Sequence, residues 1–160
     1  MTPLDILIMA AGKGTRMKSR LPKVLQRLAG RSLLQHVLDQ AAHLQARSAI
    51  VITGHGATEV EAASAGKQRA GGTFDPQFEL KFVRQEPQLG TGHAVQQALP
   101  QLRTDGTVVV LSGDVPLTQA DTLRALVAAS EGGKLALLTV TLPDPTGYGR
   151  IVRNADGAVQ

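Results

Sequence analysis

The sequence predicts an α/β fold, a mostly parallel sheet with helices on both faces. Three observations carry this. Segments of strand and helix character alternate about five times along the 160 residues, a pattern that folds as parallel strands joined by crossover helices. The strand candidates are short, nearly continuous apolar runs, as befits strands buried on both faces. The length suits one domain and leaves no room for a second of ordinary size.

Leu4 to Met9 is the first such run, followed by a Gly-rich basic loop over residues 10–22. Apolar residues at 33, 34, 37, 38, 41 and 44 fall at helical spacing, with Ser32 placed to cap the helix. Ala49 to Thr53 is the next strand, ending at Gly54-His-Gly56, and a helix follows over 57–64, with Thr58 or a neighbour near its start. Residues 65–77 lack periodicity and are rich in small side chains, which predicts a flexible insertion loop. Glu79 to Arg84 alternates as a strand does; Thr91 to Leu99 is helical and stops before Pro100. Thr107 to Leu111 is the most strongly β-branched run, predicting a central strand that ends in Ser112-Gly-Asp114. A helix over 120–130, opened by Thr118 or a neighbour, leads to a further strand over 135–142. Gly149 to Arg153 then begins a hairpin turning at Asp156-Gly157. The chain reads as a single domain over 1–160.

Composition narrows the function classes. Without cysteine there is no disulfide, thiolate nucleophile or thiolate zinc site. No apolar run approaches the ~18 residues that span a bilayer, and the amino terminus lacks the basic-then-apolar pattern of a secretory signal. The expectation is a soluble cytoplasmic protein with no membrane partner. The net charge of +4 is unevenly placed: residues 1–31 hold seven of the 17 bases (Lys13, Arg16, Lys18, Arg20, Lys23, Arg27, Arg31) and one acid, Asp5. Such a cluster meets a polyanion. Aromatics make up only 2% of the chain and none lies among these bases, so stacking platforms for a nucleic acid are missing and a small polyanionic ligand is expected instead.

Ligands of parallel α/β sheets bind beyond the carboxyl ends of the strands. Here those ends carry Ala10–Arg16, Gln85–Thr91 and Ser112–Asp114, the segments richest in chemistry. Gly12 and Gly14 allow a sharp turn that brings backbone N–H groups close to phosphate oxygens, and Arg16 and Lys23 supply charge. A Walker loop does not occur in the chain. A dinucleotide fingerprint fails too, because Met17 stands where its third Gly belongs and Thr53-Gly54 where its acid belongs.

Ala10-Ala-Gly-Lys-Gly-Thr-Arg-Met17 followed by Leu21-Pro-Lys-Val-Leu25 strongly resembles the opening signature of the sugar-nucleotide pyrophosphorylases. Gln85-Glu-Pro-Gln-Leu-Gly-Thr-Gly-His-Ala94, Gly113-Asp-Val-Pro-Leu117 and Thr146-Gly-Tyr-Gly-Arg-Ile151 narrow the likeness to the uridylyltransferase domain of the bacterial bifunctional uridyltransferase/acetyltransferases. The resemblance implies a Rossmann-like, nucleotide-diphospho-sugar transferase-like sheet whose C-terminal part is missing here. It implies Mg²⁺-dependent transfer of UMP from UTP to N-acetylglucosamine 1-phosphate, for cell-wall precursor synthesis. By position, Met9, Ala10, Ala11 and Gly12 lie near the nucleotide, and Gly14, Thr15 and Arg16 wrap its β- and γ-phosphates. Lys23 touches the α-phosphate, and Gln85, Gly90 and Thr91 face uracil. Ser112 and Gly113 belong to the nucleotide-binding turn, Asp114 holds the metal, and Gly149 contacts the amino sugar.

The chemistry agrees with these roles. Telling uracil from cytosine means reading one carbonyl and one imide N–H, which a fixed amide and backbone groups can do. Mg²⁺ takes one or two carboxylates plus phosphates. The nucleophile, a sugar phosphate, is already ionised, so no general base is required. His93, just inside a helix start, reads as a helix-terminal or packing residue, and His36, His43 and His55 show no ligand spacing.

Ser112 stands where relatives often have Tyr, and Met9 where Leu is commoner, a nearly volume-conserving change. In the family the domain continues beyond residue 160, adding a Glu and an Asn toward the sugar and a second metal ligand. A left-handed β-helix domain follows, through which the parent protein is expected to form a homotrimer. Two other readings stay open at this point: another sugar-1-phosphate nucleotidyltransferase, or a non-catalytic uridine-nucleotide-binding fragment.

Overall fold

The computed structural model describes residues 2–65 and 78–159. Four parallel strands form its sheet: β1 (Leu4–Ala10), β4 (Ser48–Thr53), β5 (Glu79–Arg84) and β6 (Thr107–Ser112), in the spatial order β5-β4-β1-β6. β1 pairs with β4 on one edge (Ile6 opposite Ala49) and with β6 on the other (Ile6 opposite Val109). The chain therefore builds outward from β1 through β4 to β5, then crosses back to lay β6 on the far side. That reversal puts the topological switch between β1 and β6, where ligands of such sheets bind.

The middles of β1 and β4 are apolar because both faces are covered, and Ile6, Leu7, Ile8, Ile50, Val51 and Ile52 have no exposed surface. One face packs on α1 (Leu33–His43), which presents Leu34, Val37, Leu38 and Ala41 at helical spacing, together with Val60 and Val24. Burying each of those α1 leucines contributes about 1.5–3 kcal/mol. Ser32 caps α1 as expected, its Oγ accepting from Gln35 N at 3.1 Å. Val60 belongs to α2 (Ala57–Ala65), and α4 (Ala120–Ala129) joins the same face through Val127, while Arg124 donates to His43 O. The opposite face, centred on Leu7, Ile50 and Ile52, packs on Ala94 and Ala98 of α3 (Thr91–Ala98). Helices on both faces are thus as the alternation predicts. Among the described residues no helix is long and apolar enough to cross a membrane.

The structure departs from the sequence reading in several places. β6 is not central but is the edge of the described sheet: Val108 and Val110 are exposed, and only one side of the strand is paired. Residues 135–142 form no strand. Leu135 and Leu138 line an open trough of about 790 Å³ beside β6, where no neighbour among the described residues forms a ladder with them. An apolar run suits a sheet, but a strand exists only where a ladder does. The hairpin near the end is reduced to one bridge, Arg153 with Val159, around a turn over Asn154–Gly157 that takes in the expected Asp156-Gly157. A small hairpin, β2 (Arg27–Leu28) and β3 (Arg31–Ser32), was not anticipated; it turns on Ala29 and Gly30, both at positive φ, without the usual Asn-Gly signal. Leu99–Gln101 extends α3 as a 3-10 turn across Pro100. The insertion loop expected over 65–77 lies outside the described residues, save Ala65, which closes α2.

The amino ends of the strands are tied by one ion-pair network. Asp5, 1% exposed, accepts from Arg47 Nε (3.1 Å) and Nη2 (2.5 Å) and from Ser48 Oγ (2.7 Å). Arg47 reaches on to Asp105 at 2.7 Å, so one guanidinium joins the starts of β1, β4 and β6. Burial pushes the Asp5 carboxyl upward, but the bonds from Arg47 and Ser48 and the nearby guanidinium charge outweigh it and hold the pKa below its ordinary value. A carboxylate depressed in this way stabilises the fold above its unfolded pKa of about 3.9. The stabilisation is lost as pH falls through the folded value. We expect Asp5→Asn to lower unfolding stability at pH 7, with the gap to the unaltered protein closing below about pH 4. Urea denaturation series at both pH values check this, and a gap constant with pH would refute it.

Candidate active site

At the carboxyl end of β1 the chain leaves the sheet through Ala10 and Ala11 into a loop that turns back over the rim. Gly12 has open space where a side chain would be. Gly14 is left-handed (φ +58°), and a Cβ there would lie 2.8 Å from Lys23 Cβ. Only glycine lets the loop lie on the Lys23 stem, and this contact aims the lysine along the rim. Thr15–Met17 then forms a 3-10 turn carrying Arg16 outward. At the end of β6, Gly113 N donates to Met9 O at 3.0 Å, locking the two strand ends together. A Cβ on Gly113 would press on Met9 O at 3.1 Å and Val24 Cγ1 at 3.2 Å.

A cavity of about 450 Å³ opens at this switch point, lined by Met9, Ala10, Gly12, Gly14, Thr15, Arg16, Met17, Lys23, Val24, Thr91, Ser112 and Asp114. Ten of these twelve are site residues expected from the sequence. Lys23 Nζ forms an ion pair with Asp114 Oδ2 inside it, both groups half-buried. Arg16 is exposed, with no ion pair among the described residues.

A second cavity of about 440 Å³ lies along the same rim at the ends of β4 and β5, lined by Lys13, Gly54, Ala57, Arg84, Gln85, Glu86, Pro87 and Gln88. Gln85 is buried; its backbone N extends the ladder to Thr53 O at 2.8 Å, and its Nε2 donates to Gly90 O at 2.8 Å. Beside it, Arg84 grips both oxygens of Glu61 (2.9 and 2.8 Å), and Thr53 Oγ1 donates to the same carboxylate at 3.0 Å. The Arg84 bonds hold the Glu61 carboxyl below its ordinary pKa against the upward push of burial, with Thr53 helping. This pairing fixes the end of β5, from which Gln85 projects.

Ala11 and Gly113 are buried beneath the first cavity rather than in its wall, and Gly90 opens α3 at φ +97°. Gly149 lines neither cavity; it sits in an exposed loop braced by Arg150, whose Nη1 donates to Pro145 O and Tyr148 O. The sequence reading missed His93. Its Nδ1 lies 3.2 Å from Gln85 Nε2, and its Nε2 lies 3.1 Å from Gln97 Nε2. The available signal was the i, i+4 spacing of His93 and Gln97 on the helix that opens just after Gly90.

Comparison with known proteins decides the family. The profile of the MobA-like NTP transferase domain matches residues 6–150. The chain belongs to this family. It is 78% identical over 160 residues to the bifunctional protein GlmU of Acidovorax sp. (strain JS42), matching all of this chain and 33% of that protein. The resemblance to the bifunctional enzymes read from the four motifs is thereby borne out, and the chain spans about a third of the length of the curated relatives it matches. Solved structures share the fold at low identity. The 4-diphosphocytidyl-2C-methyl-D-erythritol synthase of Anaerococcus prevotii superposes with a TM-score of 0.66 at 16% identity, over 99% of this chain and 63% of that one. A nucleotidyl transferase of Methanothermobacter gives 0.65 at 23%, over 79% and 57%.

Gly14→Ala should destabilise the protein by about 1–2 kcal/mol, the cost of a left-handed L-residue, because the new Cβ meets the fixed end of the Lys23 side chain. Urea denaturation measures this, and a change below 0.5 kcal/mol, on the order of surface substitutions, would remove the packing argument.

Proposed function

We propose that this chain carries the uridylyl-transfer site of a sugar-nucleotide pyrophosphorylase, which moves UMP from UTP to N-acetylglucosamine 1-phosphate and releases pyrophosphate. The supporting observation is the convergence of the Gly12–Arg16 loop, Lys23 and Asp114 on one cavity at the sheet's switch point, with the buried Gln85 amide on the same rim. The motif resemblance supplies the identity of base and sugar.

An oxygen of the sugar phosphate attacks the α-phosphorus of UTP in line. The bond from that phosphorus to the bridging oxygen of the β-phosphate breaks, and pyrophosphate leaves. No proton has to move, because the nucleophile is ionised. Two anions must approach, so positioning and charge neutralisation are the protein's main tasks. Gly12, Gly14 and Thr15 offer backbone to the phosphates, and Arg16 meets the leaving β- and γ-groups. Lys23, released from Asp114, turns to the α-phosphate. Met9, Ala10, Ala11, Ser112 and Gly113 form the floor and turn beneath the nucleotide, while Gln85, Gly90 and Thr91 take the base. Gly149 contacts the amino sugar in this reading.

The donor set fits Mg²⁺. A single carboxylate, Asp114, faces the cavity, and the described residues contain no cluster of three or more His, Cys, Asp or Glu that would suit a more completely protein-bound ion. Mg²⁺ usually keeps several waters and substrate phosphates as ligands. Asp114 would hold it, and when bound it supplies positive charge to the triphosphate. Cytoplasmic residence, a part in cell-wall precursor synthesis and a trimeric parent protein belong to the same proposal.

Melting curves with UTP, CTP, ATP and GTP, each with and without Mg²⁺, test it. We expect UTP with Mg²⁺ to stabilise selectively; at ~100 times its Kd a ligand adds roughly 2.7 kcal/mol. Equal stabilisation by all four nucleotides would overturn the base assignment. Asp114→Asn is expected to abolish the Mg²⁺-dependent part of the UTP shift, and its persistence would remove Asp114 as metal ligand.

A further inference from the structure

We propose that His93 is a positioning residue for base selection: it fixes which end of the Gln85 amide faces the nucleotide. The proposal rests on the reading of Gln85 as the residue that meets the base.

The hydrogen-bond partners determine the arrangement step by step. The Gln85 atom 2.8 Å from Gly90 O must be the amino nitrogen, because a carbonyl oxygen only accepts. The same nitrogen lies 3.2 Å from His93 Nδ1. Its second hydrogen goes there, so Nδ1 is the unprotonated, accepting nitrogen of the ring. A neutral imidazole then carries its proton on Nε2. That nitrogen lies 3.1 Å from the end of the Gln97 amide, whose oxygen turns to accept, the two ends of an amide being interchangeable in place. The relay runs from the Gly90 carbonyl through Gln85 and His93 to Gln97, and each member has one consistent orientation.

Both amino hydrogens of Gln85 are thereby used, and its Oε1 has no donor among the described residues. What this buried side chain offers a ligand is a lone acceptor. Uracil answers it with its ring N3–H. Cytosine presents an acceptor at the same ring position, and two acceptors repel while each loses a hydrogen bond. Turning the amide over to suit cytosine would set Oε1 against Gly90 O, and would also require His93 to move its proton to Nδ1 and the Gln97 amide to turn with it. Removing His93 deletes this coupled rearrangement and leaves the Gly90 carbonyl alone to oppose the turned amide. It also leaves one amino hydrogen unheld, so that the preference for uracil weakens without vanishing.

The test measures Kd for UTP and CTP by calorimetry in the full chain and three variants, with melting curves to verify folding. His93→Leu should narrow the UTP-over-CTP preference about fivefold, or ~1 kcal/mol. His93→Asn, whose carbonyl can accept from the same amino group, should restore most of it. Gln85→Leu should narrow the preference at least as far. If Gln85→Leu narrows it and His93→Leu does not, the positioning role is overturned while the base reading stands. If neither variant changes it, the base reading itself fails. ¹⁵N NMR of the unaltered protein decides the matter even if the variants do not fold. An unprotonated Nδ1 and protonated Nε2 at His93 are expected, and the opposite tautomer would refute the relay.

Discussion

The architecture hangs on β1, and β1 is held at its amino end by a buried charge. Asp5 sits inside the sheet, and a carboxylate there is tolerable only because Arg47 and Ser48 satisfy it. The same guanidinium reaches Asp105 just before β6, so a single residue sets the relative height of three strands at one end. Parallel ladders then carry that alignment along their length. At the carboxyl end it appears as the closeness of Met9 and Gly113, and thus as the shape of the cavity floor. Polar chemistry at one end of the sheet is thereby coupled to polar chemistry at the other through an apolar interior that cannot slip without exposing its faces.

Much of this is legible in the sequence because the interior strands are encoded by burial. Ile6–Met9 and Ala49–Ile52 are apolar on successive residues, which only a two-sided environment explains, and the α1 stripe with its Ser32 cap is equally direct. The loop after β1 is readable because Gly14 answers a backbone need. Less legible is anything that depends on who stands beside whom. The β-branched run at 107–111 reports that its residues suit a sheet, not that one side of the strand lacks a neighbour. Residues 135–142 fail for the same reason, since composition does not supply a ladder. The part of His93 is less legible because it depends on tertiary placement next to Gln85, which its i, i+4 spacing from Gln97 alone does not reveal.

The basic cluster at the start of the chain divides on inspection. Arg16 and Lys23 line the first cavity and Lys13 the second, whereas Arg31 is taken up by Asp39 on α1. Lys18, Arg20 and Arg27 lie exposed. The sequence-level excess of charge therefore overstates what reaches a ligand directly, although the solvated members still contribute to the field that draws an anion in.

The pairing of Lys23 with Asp114 has a consequence for how the cavity responds to its ionic surroundings. A lysine already matched by a carboxylate attracts few mobile anions, so a phosphate arriving there trades one partner for another and displaces little salt. On the proposed reading, Arg16, which has no ion pair among the described residues, is where counterion release is concentrated. Affinity for a polyphosphate should consequently fall with ionic strength less steeply than the number of basic groups around the cavity suggests, with Arg16 supplying most of the dependence.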